Sequence, residues 1–245
     1  MKKQPAYASE VALCAAFLAA VDKQKWTAYA ESLGWDILLV RNRDGFQIGI
    51  QAKLRLNVEV INQAIEEGAW YRIDEPGPDC RAILVPPDGG PAFDKVCDFI
   101  GLTIIRMRDM THLNPRWNSA FMPSLPDDQI HDREWHEMAP TKRHKLPEYI
   151  PDVAAGSSAP IQLTQWKIKA IKIAILLESR GYVTRADFSY LQIDHRRWIT
   201  MGWLKIENGR YVANASPDFK AQHPIVYGQI ESDVEKWKPK QSEML

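Results

Sequence analysis

Residues 35–54 read WDILLVRNRDGFQIGIQAKL. Two β-rich runs, 35–41 and 46–54, flank the four residues NRDG, which are typical of a tight turn. The stretch therefore predicts a β-hairpin. Because side chains alternate between the two faces of a strand, Gln51 and Lys53 are expected on the same face.

The hairpin also brings Asp36, near the start of its first strand, towards the end of its second strand. Magnesium binds hard oxygen ligands and keeps several waters. Asp36 can supply a carboxylate, Gln51 a side-chain carbonyl and Ala52 a backbone carbonyl. Lys53 can orient an attacking water or stabilise the charge on a pentavalent phosphate. The residues predict a site for Mg²⁺ (or Mn²⁺) with a lysine beside the attacking water.

The elements around the hairpin alternate between helical and strand patterns. Ser9 can cap a helix that runs to about residue 22. The patterns further predict a short amphipathic helix at 26–33, a helix at 58–70, a strand at 81–85, a helix at 92–100 and a strand at 102–107. This order indicates an α/β fold whose later strands are parallel.

An Asp, a turn and then Gln-Ala-Lys after an apolar strand resemble the catalytic core of the PD-(D/E)XK nuclease superfamily. The Gln-x-Lys form is most similar to the Mrr-type restriction endonuclease branch, over about residues 9–108. The resemblance implies a restriction-endonuclease-like α-β-β-β-α-β core, divalent-metal-dependent hydrolysis and a DNA substrate. It matches Asp36 to the metal-binding Asp, Gln51 to the variable Glu/Gln ligand and Lys53 to the catalytic Lys.

Further family positions have candidates in this chain. Glu10, near the start of the first helix, and Glu31, just before the Asp36 strand, compete for an additional acidic position, and Gln63 matches a helical Gln of some branches. Trp35 stands where the family often has Pro. Because Gln51 is neutral, the site should hold Mg²⁺ more weakly, and a nuclease fold that has lost catalysis is the main alternative.

The second half of the chain begins with a proline-rich stretch, residues 111–160, that predicts an extended connector. It is expected to pack on the first domain (1–110) through Trp117, Phe121 and Trp135. Residues 161–225 resemble a winged helix-turn-helix domain, and 226–245 are interpreted as a C-terminal tail.

The winged-helix pattern consists of three helices and a hairpin. A helix at 164–180 stops at Gly181, and Thr184 with Asp187 approaches a capping box. Asp194 can cap a short helix, and a final hairpin turns at 208–209. This order is typical of winged-helix proteins.

Residues 161–220 carry 10 basic and 5 acidic side chains, whereas 1–110 carry 13 basic and 15 acidic ones. The basic excess predicts contact with DNA phosphates and bases. The candidate DNA-binding residues are Arg185, His195, Arg196, Arg197, Lys205 and Arg210. The alternative is a solvated charged face on a domain used for dimerisation or protein contact.

Composition limits the remaining classes. The 245 residues have zero formal net charge and no apolar run long enough for a membrane span. The three cysteines lie far apart without zinc-site spacing. We expect a cytoplasmic enzyme without an organic cofactor or a membrane partner. A homodimer on DNA is expected because cutting both strands needs two copies. A transcriptional regulator is a further alternative.

Overall fold

The computed structural model describes residues 6–66, 76–108, 119–126, 134–157 and 162–239. The chain divides into two compact units. The first contains the chain up to residue 146 and a segment that begins at 153, and the second contains 147–152 and the chain from 162 onward.

The first unit is a mixed α/β structure built on one six-stranded sheet. Its elements are, in chain order, α1 (Glu10–Ala20), β1 (Trp26–Ser32), β2 (Trp35–Arg41), β3 (Gln47–Ala52), α2 (Val58–Glu66), β4 (Cys80–Val85), α3 (Asp94–Phe99), β5 (Thr103–Met107) and β6 (Phe121–Met122).

The six strands lie in the sheet in their chain order. β1, β2 and β3 are antiparallel, β3, β4 and β5 are parallel, and β6 returns antiparallel to β5. The predicted hairpin is confirmed, with Ile37 opposite Ile50. The predicted parallel strands are confirmed too, since α2 and α3 lie in the crossovers that parallel pairing requires.

The helix predicted at 26–33 is wrong, because this stretch forms β1. Trp26 pairs with Arg41 and Ser32 pairs with Trp35, so the backbone of β1 is bound along β2. Spacing in so short a segment does not separate helix from strand, and the neighbouring strand decides between them. β1 adds a third antiparallel strand before the first crossover.

Hydrophobic residues form a core on each face of the sheet. One contains Leu13 and Phe17 of α1, which begins after the predicted cap, Ser9. The other contains Val60 and Ala64 of α2. The helix predicted at 58–70 is present to Glu66, and residues 67–75 lie outside the described residues.

Part of the proline-rich stretch packs on the first core, as expected. Phe121 and Trp135 are buried there, and the Trp135 indole N–H donates to the Ser124 carbonyl at 2.8 Å. Trp117 lies outside the described residues. Cys14, Cys80 and Cys97 are all buried and unpaired.

The second unit contains a helical core and a hairpin. Its elements are α4 (Gln165–Arg180), α5 (Arg185–Tyr190), α6 (His195–Thr200), β7 (Leu204–Glu207), β8 (Arg210–Ala213), α7 (Phe219–Gln222), α8 (Pro224–Ser232) and α9 (Val234–Trp237). The last two helices fall mainly in the stretch interpreted as a tail, and α8 packs on α4.

The local signals of the second unit are confirmed. Gly181 ends α4 with a φ of 77°, and Thr184 and Asp187 form a full capping box at α5. Asp194 caps α6 through its side chain. Within the described residues, no helix combines the length and the apolar character needed to cross a membrane.

Candidate active site and basic face

Asp36 and Ala52 join the two strands of the hairpin at the open end. A carboxylate oxygen of Asp36, Oδ2, accepts a hydrogen bond from the Ala52 N–H at 2.7 Å. Asp36 immediately precedes Ile37, and Ala52 lies two residues after Ile50, the residue paired with Ile37. The antiparallel register therefore brings Asp36 to the end of β3, as the sequence predicts.

Gln51 is buried at the same end of the hairpin and has a fixed orientation. Its side-chain Nε2 donates to the carbonyl of Gly34 at 2.7 Å. This bond directs the Nε2 side of the amide to the turn between β1 and β2. Within the described residues, the Gln51 Oε1 accepts no hydrogen bond. This oxygen is the atom that would bind a metal.

Lys53 follows the last residue of β3, and its ammonium lies 3.3 Å from the Glu10 carboxylate at the start of α1. The Lys53 backbone N–H donates to Leu84 on the adjacent strand. Both side chains of the pair are about one-quarter to one-third exposed. Of the two acidic candidates, Glu10 is therefore the one in contact with Lys53.

Glu31 lies close to the cluster but holds a different segment. Its Oε1 accepts the backbone N–H groups of Gly156 and Ser157 at 2.6 and 3.1 Å. Gly156 has a φ of 76°, and a Cβ on it would lie about 3.0 Å from the Glu10 backbone and 3.1 Å from Cys14 Sγ. Residues 153–157 therefore lie against α1, and we call this segment the strap.

The carboxylates interact with one another electrostatically. Burial is the main reason that the pKa of Asp36 is raised, with Glu10 adding to the rise, although the Ala52 N–H and Lys53 oppose it. Burial and the Asp36 charge raise the pKa of Glu31, while its two backbone donors oppose that shift. A cation near Asp36 would relieve this repulsion.

Cys14 is an inert neighbour of this cluster. Burial, followed by the charges of Asp36, Glu31 and Glu10, raises the pKa of its thiol to about 12. A protonated thiol is a poor nucleophile and a poor metal ligand. The chemistry of the cluster therefore depends on its oxygen and ammonium groups.

The donor set fits a hard cation that keeps most of its water. Within the described ranges, no three His, Cys, Asp or Glu side chains are arranged as a metal site. Asp36 has a carboxylate at this end of the hairpin, and the Gln51 carbonyl is a second candidate donor. Mg²⁺ sites commonly use one or two carboxylates with waters. Ala52 is the last residue of β3, and its N–H donates to Asp36.

Gln63 stands apart from these contacts. It lies half-buried on α2, and no hydrogen bond connects it to Asp36, Gln51 or Lys53 in the described part of the chain.

The sequence did not predict the contacts made by the Gly34 carbonyl and by the two backbone N–H groups of the strap. Backbone groups carry no side-chain signal, so only their tertiary placement reveals them.

Five of the six basic candidates of the second unit are exposed, and His195 is half-buried. The Arg196 side chain is 82% exposed, and Lys205 contacts Glu207 at 2.8 Å. Three of the six also lie against aromatic rings: Arg197 4.8 Å from Trp166, Arg210 4.0 Å from Tyr182, and His195 stacked at 5.6 Å on Tyr211.

Comparison with protein-family models, with curated proteins and with solved structures finds no match to this chain. The functional interpretation therefore depends on the geometry described above.

Proposed function

We propose that this protein is an Mg²⁺- or Mn²⁺-dependent endonuclease that hydrolyses DNA phosphodiesters. The first unit would be a PD-(D/E)XK domain similar to Mrr-type restriction endonucleases, and the second a winged-helix DNA-binding module. The observation that carries the proposal is that Asp36, Lys53 and Glu10 lie together at the open end of the hairpin, where Gln51 is also buried. The order helix, three strands, helix, strand supports the same assignment.

In this mechanism Asp36 and the Gln51 carbonyl would hold the metal, with the Ala52 carbonyl as a candidate third ligand. When bound, a divalent ion would supply a more acidic water and Lewis-acid stabilisation of negative charge. The Lys53 ammonium orients the attacking water or stabilises the charge of the pentavalent phosphate. Glu10 positions Lys53 through its ion pair, or binds the metal when Lys53 turns towards the phosphate.

The second unit would bring DNA to this site. In a winged helix the third helix enters the major groove, and the hairpin contacts the backbone. Arg196 on α6, Lys205 on the hairpin and Arg185 on α5 are exposed as such contacts require. Two copies on one duplex would provide the two sites that a double-strand cut needs.

The test is cleavage of supercoiled and linear plasmid with Mg²⁺ or Mn²⁺. Lys53→Ala and Asp36→Ala are compared with matched controls at exposed positions of the same unit, Lys95→Ala and Asp88→Ala. We expect metal-dependent cutting in the wild type and both controls, and none in the two site variants. Cutting that survives both site substitutions would refute the assigned site.

A nuclease fold that has lost catalysis, acting as a DNA-binding or protein-interaction module or as a transcriptional regulator, is the second candidate. It is favoured by the neutral Gln51 and by the commitment of Glu10 to Lys53 and of Glu31 to the strap. It predicts DNA binding that is indifferent to Mg²⁺ and no cutting of plain, methylated or branched DNA.

A further inference from the structure

Glu31 and Asp36 occupy opposite positions on the first two strands of the sheet. In the antiparallel register Ala30 pairs with Ile37. The next position towards the turn between β1 and β2 is occupied by Glu31 and Asp36. Like charges placed opposite each other repel, and burial and then the Asp36 charge raise the pKa of Glu31. The candidate site therefore has two neighbouring carboxylates.

The other side chains of the site leave it short of negative charge. Gln51 is neutral, and the Glu10 carboxylate lies 3.3 Å from the Lys53 ammonium. Magnesium ions in proteins are commonly held by one or two carboxylates together with waters. Glu31 is therefore the acidic side chain that can join Asp36 around a divalent ion without breaking the ion pair of Lys53.

The strap already binds the Glu31 carboxylate. The N–H groups of Gly156 and Ser157 both donate to its Oε1, at 2.6 and 3.1 Å. Ala155 is buried in the same core as α1, and the Ser157 hydroxyl donates to the Ala154 carbonyl at 2.6 Å. The docked strap thus compensates the charge of Glu31 with two backbone donors.

We propose that the strap and a divalent ion compete for the Glu31 carboxylate, so that the docked strap lowers the metal affinity of the site. The inference rests on the proposed function, which supplies the metal at Asp36. Backbone N–H groups carry partial positive charge, so two of them and a cation that stabilise the same carboxylate weaken one another. Linkage makes the effect reciprocal: bound metal loosens the strap by the factor by which the docked strap weakens metal binding.

The first measurement is hydrogen exchange of the full chain with and without Mg²⁺. We expect Mg²⁺ to accelerate exchange at the Gly156 and Ser157 N–H groups about tenfold, the size expected when two hydrogen bonds of modest strength are displaced. Asp36→Asn removes a carboxylate that would bind the metal and should abolish this acceleration.

The second measurement is Mn²⁺ affinity, read from the electron paramagnetic resonance signal of the free ion. Gly156→Ala should undock the strap, since its Cβ would lie about 3.0 Å from the Glu10 backbone and a φ of 76° disfavours alanine. We expect about tenfold tighter Mn²⁺ binding, and no gain in Gly156→Ala/Glu31→Gln. Gly45→Ala is the matched control, with a similar φ of 70° but only an ordinary contact at 3.7 Å.

Exchange that Mg²⁺ leaves unchanged or slows, in a wild type that binds Mn²⁺ and cuts DNA, would overturn this inference and leave the proposed function standing. A gain in Mn²⁺ affinity that survives Glu31→Gln would also overturn it. Metal-dependent loosening of the strap in a protein that never cuts DNA would support the inference and remove the catalytic proposal.

If neither the wild type nor Gly156→Ala binds Mn²⁺, both the inference and the proposed metal site are overturned. Circular dichroism identifies any variant that fails to fold. The exchange measurement on the wild type needs no variant, so the inference stays testable if Gly156→Ala does not fold.

Discussion

The Trp35 indole occupies the space that a side chain at position 49 would need. A Cβ added to Gly49 would lie 2.3 Å from Cε2 of Trp35, well inside any real contact. Trp35 is 1% exposed and precedes Asp36, whereas Gly49 lies two residues before Gln51. The packing of the Trp35 indole on the Gly49 backbone therefore fixes how β2 and β3 pack next to Asp36 and Gln51.

Gly49→Ala should destabilise the first unit, because the added methyl would force the indole or a strand to move. Overpacking a dense core costs about 1–3 kcal/mol. Denaturant unfolding measures this loss, and cleavage should fall with it because Asp36 and Gln51 would shift. Gly228→Ala on α8 is the matched control, since open space surrounds that position and Ala favours a helix. A Gly49→Ala protein as stable as the wild type would contradict the packing argument.

Asp36→Asn should abolish metal-dependent cleavage yet raise Tm at neutral pH. The folded protein raises the pKa of Asp36, mainly by burial, so ionised Asp36 lowers the free energy of unfolding. This contribution is most favourable below the ordinary pKa of 3.8 and is lost as pH rises through the folded pKa. Asn Oδ1 can still accept the bond from Ala52.

Thermal unfolding of the wild type and Asp36→Asn, near neutral pH and at moderately acidic pH, tests the sign. The gain from the substitution should shrink as pH falls, because Asp36 then becomes neutral in the wild type. A lower Tm for Asp36→Asn at neutral pH would mean that the charge stabilises the fold, contrary to the expectation.

Glu31→Ala should release the strap from α1. The half-buried Gly156 and Ser157 N–H groups would lose their acceptor. Because water can replace part of each lost bond, the cost should be about 1 kcal/mol per bond. Hydrogen exchange should accelerate at these two amides. Glu31→Gln is the matched control, because its carbonyl can still accept both bonds. Equal protection of the strap in the wild type and Glu31→Ala would argue against this role of Glu31.

Arg196→Ala and Arg197→Ala should separate DNA contact from packing. The Arg196 side chain is 82% exposed, so its loss should weaken DNA binding and leave Tm unchanged. Arg197 lies over the Trp166 ring, so its loss should also lower Tm. Anisotropy and thermal unfolding measure the two effects. If Arg196→Ala bound DNA as tightly as the wild type, α6 would be better explained as a protein-contact face.

Asp187→Ala should destabilise the second unit. The fully buried carboxylate accepts bonds from the Thr184 backbone and hydroxyl and from Arg180, all at 2.8–2.9 Å. Losing these partners costs about 1–3 kcal/mol in unfolding free energy. Asp194→Ala removes an exposed N-cap and exposed ion contacts with His195 and Arg196, and should cost about 1 kcal/mol. Equal losses in chemical denaturation would contradict this difference.

The sequence alone determined the elements whose signals are local. Ser9, Thr184 with Asp187, Asp194 and Gly181 mark helix ends because capping and left-handed backbone depend on residues within one turn. The hairpin followed in the same way from its turn residues. Since antiparallel pairing is symmetric about the turn, the approach of Asp36 to the end of β3 followed as well.

Only the tertiary structure decided the remaining features. Residues 26–32 form a strand because β2 supplies the partner for their backbone. Glu10 contacts Lys53 and Glu31 holds the strap, although both acids had equal claim from the sequence. These contacts join residues 43 and more than 100 positions apart in the chain. Local periodicity and propensity carry no information about such partners, whose positions are set by the packing of α1 and the strap against the sheet.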